Sequence, residues 1–166
     1  MLLCSNEKTN IHGNDRCELF ECQAKPSRDI MVAGHQDATR TLWPELSARH
    51  ETYVSALVFE EAKRGDPDQA QIRLAAIKPF PMLDIDDEAR SLAEKIILGR
   101  AVPAEYPEDA LHIAVAAVNG IEVIITWNFA HLNNPFTHIM VRQIVEGEGY
   151  ECPEICSPEE LLEVDK

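Results

Sequence analysis

From Pro26 onward, apolar residues recur at helical or strand spacing, and turn residues punctuate them. Ile30, Met31, Ala33, Ala38, Leu42 and Leu46 sit at near-helical spacing over residues 29–49, where Pro44 should interrupt or kink the helix. "ETYVSALVFEEAKRGDP" predicts a short strand at Tyr53–Ser55, then a helix opened by Ser55 and closed at Gly65. Asp66 begins the next helix, with Pro67 in its first turn, and that helix runs to about Lys78. "PMLDI" is a short strand. "DDEARSLAEKIILGR" is an amphipathic helix with acids in its first turn and Arg100 just past its last, matching the helix dipole. A helix from Glu108 to Asn119 ends at Gly120, and "EVIIT" follows as a β-branched run with almost no polar alternation. Such a run suits a parallel strand covered on both faces. A helix from Phe136 to Glu146 leads to "EICSPEELLEV", a short strand and a capped last helix. Strands alternating with helices predict one α/β layered domain with a mainly parallel sheet.

Residues 1–24 do not fit this pattern. "MLLCSNEKTNIHGNDRCELFECQA" holds three of the five cysteines, only short apolar pieces and no sustained period. The cysteines (Cys4, Cys17, Cys22, Cys152 and Cys156) are odd in number and form no C-x-x-C pair, so free thiols in a reducing compartment are expected. No apolar run approaches the roughly 18 residues that span a bilayer, and no basic start precedes an apolar segment. A cytoplasmic protein without a membrane partner is expected.

The charge is lopsided, with 29 acids against 15 Lys and Arg for a net of −14. That opposes a broad electrostatic footprint for nucleic acid, while leaving room for a local basic patch, a basic protein partner or an acidic site neutralised by metal.

In an open parallel sheet, chemistry gathers at the carboxyl ends of the strands. Glu60 and Glu61 follow the strand at Tyr53, Asp109 lies in the first turn of the helix feeding "EVIIT", and Asn128 follows that strand directly. Carboxylates converging in one crevice repel one another unless a divalent cation sits between them, and hard oxygen ligands describe magnesium or manganese. Each residue also has an ordinary reading. Asp109 can serve the helix dipole, worth roughly 0.3–1 kcal/mol. Glu60 and Glu61 can form a solvated face, and His112 can be a packed core histidine. His131 can cap a turn, and Lys63 and Arg64 can be plain helix-end residues. The residues alone lead to an α/β domain with a candidate acidic metal site.

"YVSALVFEEAKRGDP", "DALHIAVAAVNGIEVIITWNFAHLNNP" and "EICSPEELL" resemble the PIN-domain family, in the VapC-like branch of toxins from toxin–antitoxin pairs. "KPSRDIMVAGHQDATRTLWPE" fits the same branch, so the likeness covers about residues 25–163 of a PIN-like domain at 25–166. The resemblance implies a three-layer α/β/α sandwich with a mainly parallel central sheet. It also implies a Mg²⁺- or Mn²⁺-dependent endoribonuclease acting on RNA, a cognate antitoxin as partner, and room for a homodimer. By position, Glu61 takes the family's second acid and Asp109 the third, both as metal ligands. Asn128 stands where many PIN domains carry a fourth acid, and its amide oxygen would orient a metal-bound water. The family's first acid, expected in a "(D/E)-T-S"-like motif at the end of the first strand, is missing from "HGNDRCELFECQA". Codons compatible with "GNDRCELFECQ", read one nucleotide later, permit "ETTVVSYLSAK", which closely resembles the missing strand. Residues before about Lys25 therefore read as an out-of-frame version of that strand.

Two functions follow as expectations: a ribonuclease impaired by its missing acid, or a non-catalytic module that still docks an antitoxin or other protein. A sugar or nucleotide binder is disfavoured because no glycine-rich phosphate loop is present.

Overall fold

A computed structural model describes residues 2–4, 9–11 and 30–164. In chain order the elements are β1 (Leu2–Cys4), β2 (Thr9–Ile11), α1 (Ile30–Arg49), β3 (Thr52–Ser55), α2 (Ala56–Ala62) and α3 (Pro67–Ile77). They continue with β4 (Met82–Leu83), α4 (Asp87–Leu98), α5 (Pro107–Val118), β5 (Val123–Ile125), α6 (Pro135–Gly147), β6 (Glu154–Cys156) and α7 (Pro158–Val164). The fold is mixed α/β. From residue 30 onward each element lies within a few residues of its sequence expectation, and α1 runs through Pro44.

The helix starts explain that agreement. Ser55 accepts from the Val58 N–H, Asp66 from the N–H groups of Asp68 and Gln69, and Asp86 from that of Ala89. Before α7, the Ser157 hydroxyl accepts from the Glu160 N–H while the Glu160 carboxylate accepts from the Ser157 N–H. This reciprocal capping box satisfies two donors that a helix start leaves open.

Parallel pairing joins β3 to β4 and β5 to β6. Thr9 of β2 pairs parallel with Thr52, and Asn10 and Ile11 pair with Ile124 and Ile125. The three residues of β1 run antiparallel to the same neighbours, Leu3 against Tyr53 and Leu2 to Cys4 against Ile125 to Val123. β1 and β2 both lie between β3 and β5. Residues 12–29, which include the position of the missing first-strand motif, lie outside the described residues.

Side chains alternate across a strand, and the core divides accordingly. Ile124 belongs to a hydrophobic cluster built from α4, α5 and α6, with Leu92, Ile96, Ile113, Val115, Val141 and Val145. Ile125 belongs to a second cluster with Leu42, Leu46, Val54, Val58 and Ile77 from α1, β3, α2 and α3. Helix α5 is buried from Ile113 through Ala117, as expected of a helix whose sequence is apolar all round. That burial fixes where its first turn, and hence Asp109, must sit. No helix among the described residues is long and apolar enough to cross a membrane.

Candidate functional site

Three elements position the polar cluster. The Ser55 cap starts α2 directly after β3 and carries Glu61 into its second turn. Pro107 sets the start of α5, whose opening turn holds Asp109, with His112 one turn further on. The chain leaving β5 turns at Asn128, whose N–H donates to the Thr126 hydroxyl at 2.9 Å.

These residues meet. The Asn128 side-chain N–H₂ donates to both carboxylate oxygens of Asp109, each at 3.3 Å. His112 Nε2 lies 3.3 Å from Glu61 Oε1. Helix α5 thus carries two polar contacts one turn apart, His112 with Glu61 of α2 and Asp109 with Asn128 in the turn after β5. Asp109 and His112 are fully buried and Asn128 nearly so.

Burial pushes the Glu61 carboxyl up to about 7, with Asp109 and Glu108 adding to the push and Arg64 opposing it. Burial likewise drives the His112 pKa well below the usual histidine value, so His112 is neutral. Both shifts have one origin: this pocket disfavours isolated charge.

The ordinary readings divide. Glu60 is exposed and pairs with Lys63 at 2.7 Å, so it belongs to a solvated helix face. Asp109 is no exposed dipole residue, because its carboxylate is buried against Asn128. His112 is a core histidine that also touches Glu61. The His131 N–H donates to Asn128 Oδ1 at 3.0 Å, and its ring stacks on Tyr106 with centroids 3.9 Å apart. The Asn128 amide therefore presents its nitrogen to Asp109 and its oxygen to the turn. Arg64 supplies a carbonyl to Arg73, whose guanidinium also donates to the Ala62 carbonyl at 3.1 Å and closes the end of α2.

The donors suit a hard, oxygen-preferring divalent ion in kind, since Glu61 and Asp109 are carboxylates whose contacts lie one turn apart on α5. In number they fall short: among the described residues, no group of three or more His, Cys, Asp or Glu side chains could hold a metal ion. Sequence reasoning missed Tyr106, Trp127 and Phe129 around this cluster. The signal was present in the sequence, where Trp127 and Phe129 directly flank Asn128 and Tyr106 stands three residues before Asp109.

No family model, curated protein or solved structure matches the chain.

Proposed function

We propose that the protein is a PIN-like, Mg²⁺- or Mn²⁺-dependent endoribonuclease impaired by its missing first acid, the toxin of a toxin–antitoxin pair, on a three-layer α/β/α sandwich. One observation carries the reading: of the two carboxylates that the sequence resemblance singles out, Asp109 is held by Asn128 and Glu61 by His112, one turn from Asp109 on the same buried helix. Two distant sequence positions share a pocket hostile to isolated charge, and a divalent cation is the simplest neutraliser of that pair.

In this reading Glu61 and Asp109 hold the metal, which supplies an activated water and charge stabilisation at a phosphodiester. Asn128 holds the Asp109 carboxylate by both oxygens and thereby fixes its orientation. His112, neutral and buried, holds Glu61 at the helix that carries Asp109. The test is cleavage of a mixed RNA substrate in Mn²⁺ by the full chain, compared with Asp109→Ala. Cleavage that Asp109→Ala and chelation both abolish supports the reading, and equal cleavage by the two proteins overturns it.

The Asn128 amide favours a second reading. It satisfies Asp109 where an extra acid would otherwise recruit metal, so the chain can also be a non-catalytic module that binds a cognate antitoxin. Absence of Mn²⁺-dependent cleavage both in the folded wild-type chain and in a folded chain whose first-strand acid is restored would select this module.

A further inference from the structure

The two residues at the centre of the site are each tied to an aromatic ring. The Asp109 N–H donates to the Tyr106 carbonyl at 3.1 Å, and the His131 N–H donates to Asn128 Oδ1 at 3.0 Å. Tyr106 and His131 stack with centroids 3.9 Å apart, so a single ring pair bridges the backbone supports of Asp109 and Asn128. On the residue after Asn128, Phe129 lies 6.1 Å from the rings of both Trp127 and His35, which themselves stack at 3.9 Å. Tyr106 is 40% and Phe129 46% exposed, so both keep ring surface in water beside a buried polar cluster.

Exposing rings there costs hydrophobic free energy that a merely structural contact would recover by burial. A ligand with a flat apolar face recovers it instead. The chain carries a net charge of −14, so lysine and arginine contacts to phosphates are a poor source of affinity. Base–aromatic stacking, at about 1–3 kcal/mol per base, needs no positive charge.

We propose that Tyr106, His131 and Phe129 form a stacking surface for unpaired nucleobases of single-stranded RNA, delivering the backbone to the Asp109–Asn128 cluster. The inference rests on the ribonuclease reading for its ligand class, and on the rings alone for its residues. The surface is selective for unpaired bases because a base already stacked within a duplex offers no free face.

The experiment uses the full chain and a short single-stranded RNA bearing a fluorescent adenine analogue, with chelator present so that nothing is cleaved. Stacking quenches the analogue, and titration reads the affinity. Tyr106→Leu and Phe129→Leu should each weaken binding about tenfold, while Tyr106→Phe retains it. An oligonucleotide abasic at the probed position should bind the wild type as weakly as the variants bind the intact strand. Affinity should fall only shallowly with salt. Thermal melting checks that the variants fold. Unchanged affinity in both Leu variants, or equal binding of intact and abasic RNA, overturns the inference and gives the surface to protein docking.

The cleavage test separates the two readings. A chain that cleaves RNA in Mn²⁺ but ignores the missing base loses the stacking surface and keeps the ribonuclease. Quenching without cleavage keeps the surface on a non-catalytic module. A folded chain that neither binds nor cleaves RNA loses both.

Discussion

The Asp109 carboxylate is fully buried and both of its oxygens accept from one amide, so Asn128 is its positioner. Asn128→Ala would leave that carboxylate short of two hydrogen bonds and uncap the His131 N–H. Leaving buried groups unpaired costs about 1–3 kcal/mol, and loss of this order should appear in urea unfolding. Asn128→Asp is more informative. It sets a second carboxylate against Asp109, so in chelator it should melt below the wild type. Added Mn²⁺ should then stabilise it more than it stabilises the wild type, because a third oxygen anion joins the donors. A variant that gains nothing extra from Mn²⁺ would count against metal at this position. Glu61 gives the pH dependence. Its folded pKa, about 7, lies above the ordinary 4.5, so the native state binds the extra proton between those values. Stability from this group is complete below about pH 4.5 and lost as pH rises through 7, by up to about 3 kcal/mol. The difference in unfolding free energy between wild type and Glu61→Gln should therefore drift in favour of the Gln variant from pH 5 to pH 8. A flat difference would mean that Glu61 ionises normally. Mn²⁺ should reduce the drift, because metal and proton compete for the same oxygens.

Helix ends show how much of the chain was legible. Helices α4, α5 and α6 all finish in the same doubly bonded turn. The N–H groups of Arg100, Gly120 and Gly149 reach back to the carbonyls of Ile97, Ala117 and Glu146, and those of the next residues reach Ile96, Ala116 and Val145. The turn requires a left-handed residue, and φ is 60°, 64° and 89° at the three positions. Gly120 and Gly149 meet it without strain, whereas Arg100 bears a side chain there. Arg100→Gly should raise stability by a few tenths of a kcal/mol, the strain relief being partly offset by a looser unfolded chain. Gly120→Ala should lower stability by about 1 kcal/mol, as read by denaturant midpoint. Stops of this kind, with the Ser55, Asp66, Asp86 and Ser157 caps, are local signals, which is why the elements from residue 30 onward could be read from the sequence. The site was legible only in part. Proximity of Asp109 to Asn128 follows from helix–strand order, because the chain returns to the same end of the sheet. The Glu61–His112 contact joins residues 51 apart, and the Tyr106–His131 stack depends on two loops meeting, so no local pattern announces either. The amide's orientation was equally hidden, being set by the His131 N–H.

At the scale of the molecule, the decisive place is the slot between β3 and β5. A central parallel strand feeds its last residues to the sheet's carboxyl edge, which is where Asp109 and Asn128 gather. In this chain the slot receives Leu2–Cys4 and Thr9–Ile11, and neither brings a carboxylate. A divalent ion held by Glu61 and Asp109 alone is just neutralised, with no third anion to fix its position. Misplacement of a reacting water by about 1 Å can cost on the order of a hundredfold in rate. The chain as written should therefore be a weak or inactive nuclease. Replacing Gly13–Gln23 with "ETTVVSYLSAK" would supply a β-branched strand and a leading acid, at the cost of displacing β1 and β2 from the slot. That exchange is favourable because a continuous apolar run suits a strand buried on both faces better than two three-residue pieces. The replaced chain should melt at a higher temperature and should cleave mixed RNA in Mn²⁺ strongly, with Asp109→Ala abolishing the gain. If both chains fold and cleave equally well, the first acid is dispensable and two carboxylates suffice. If the replaced chain folds but stays inactive even in saturating Mn²⁺, the polar contacts of Glu61 with His112 and of Asp109 with Asn128 are structural, and the antitoxin-binding module is the better account of the protein.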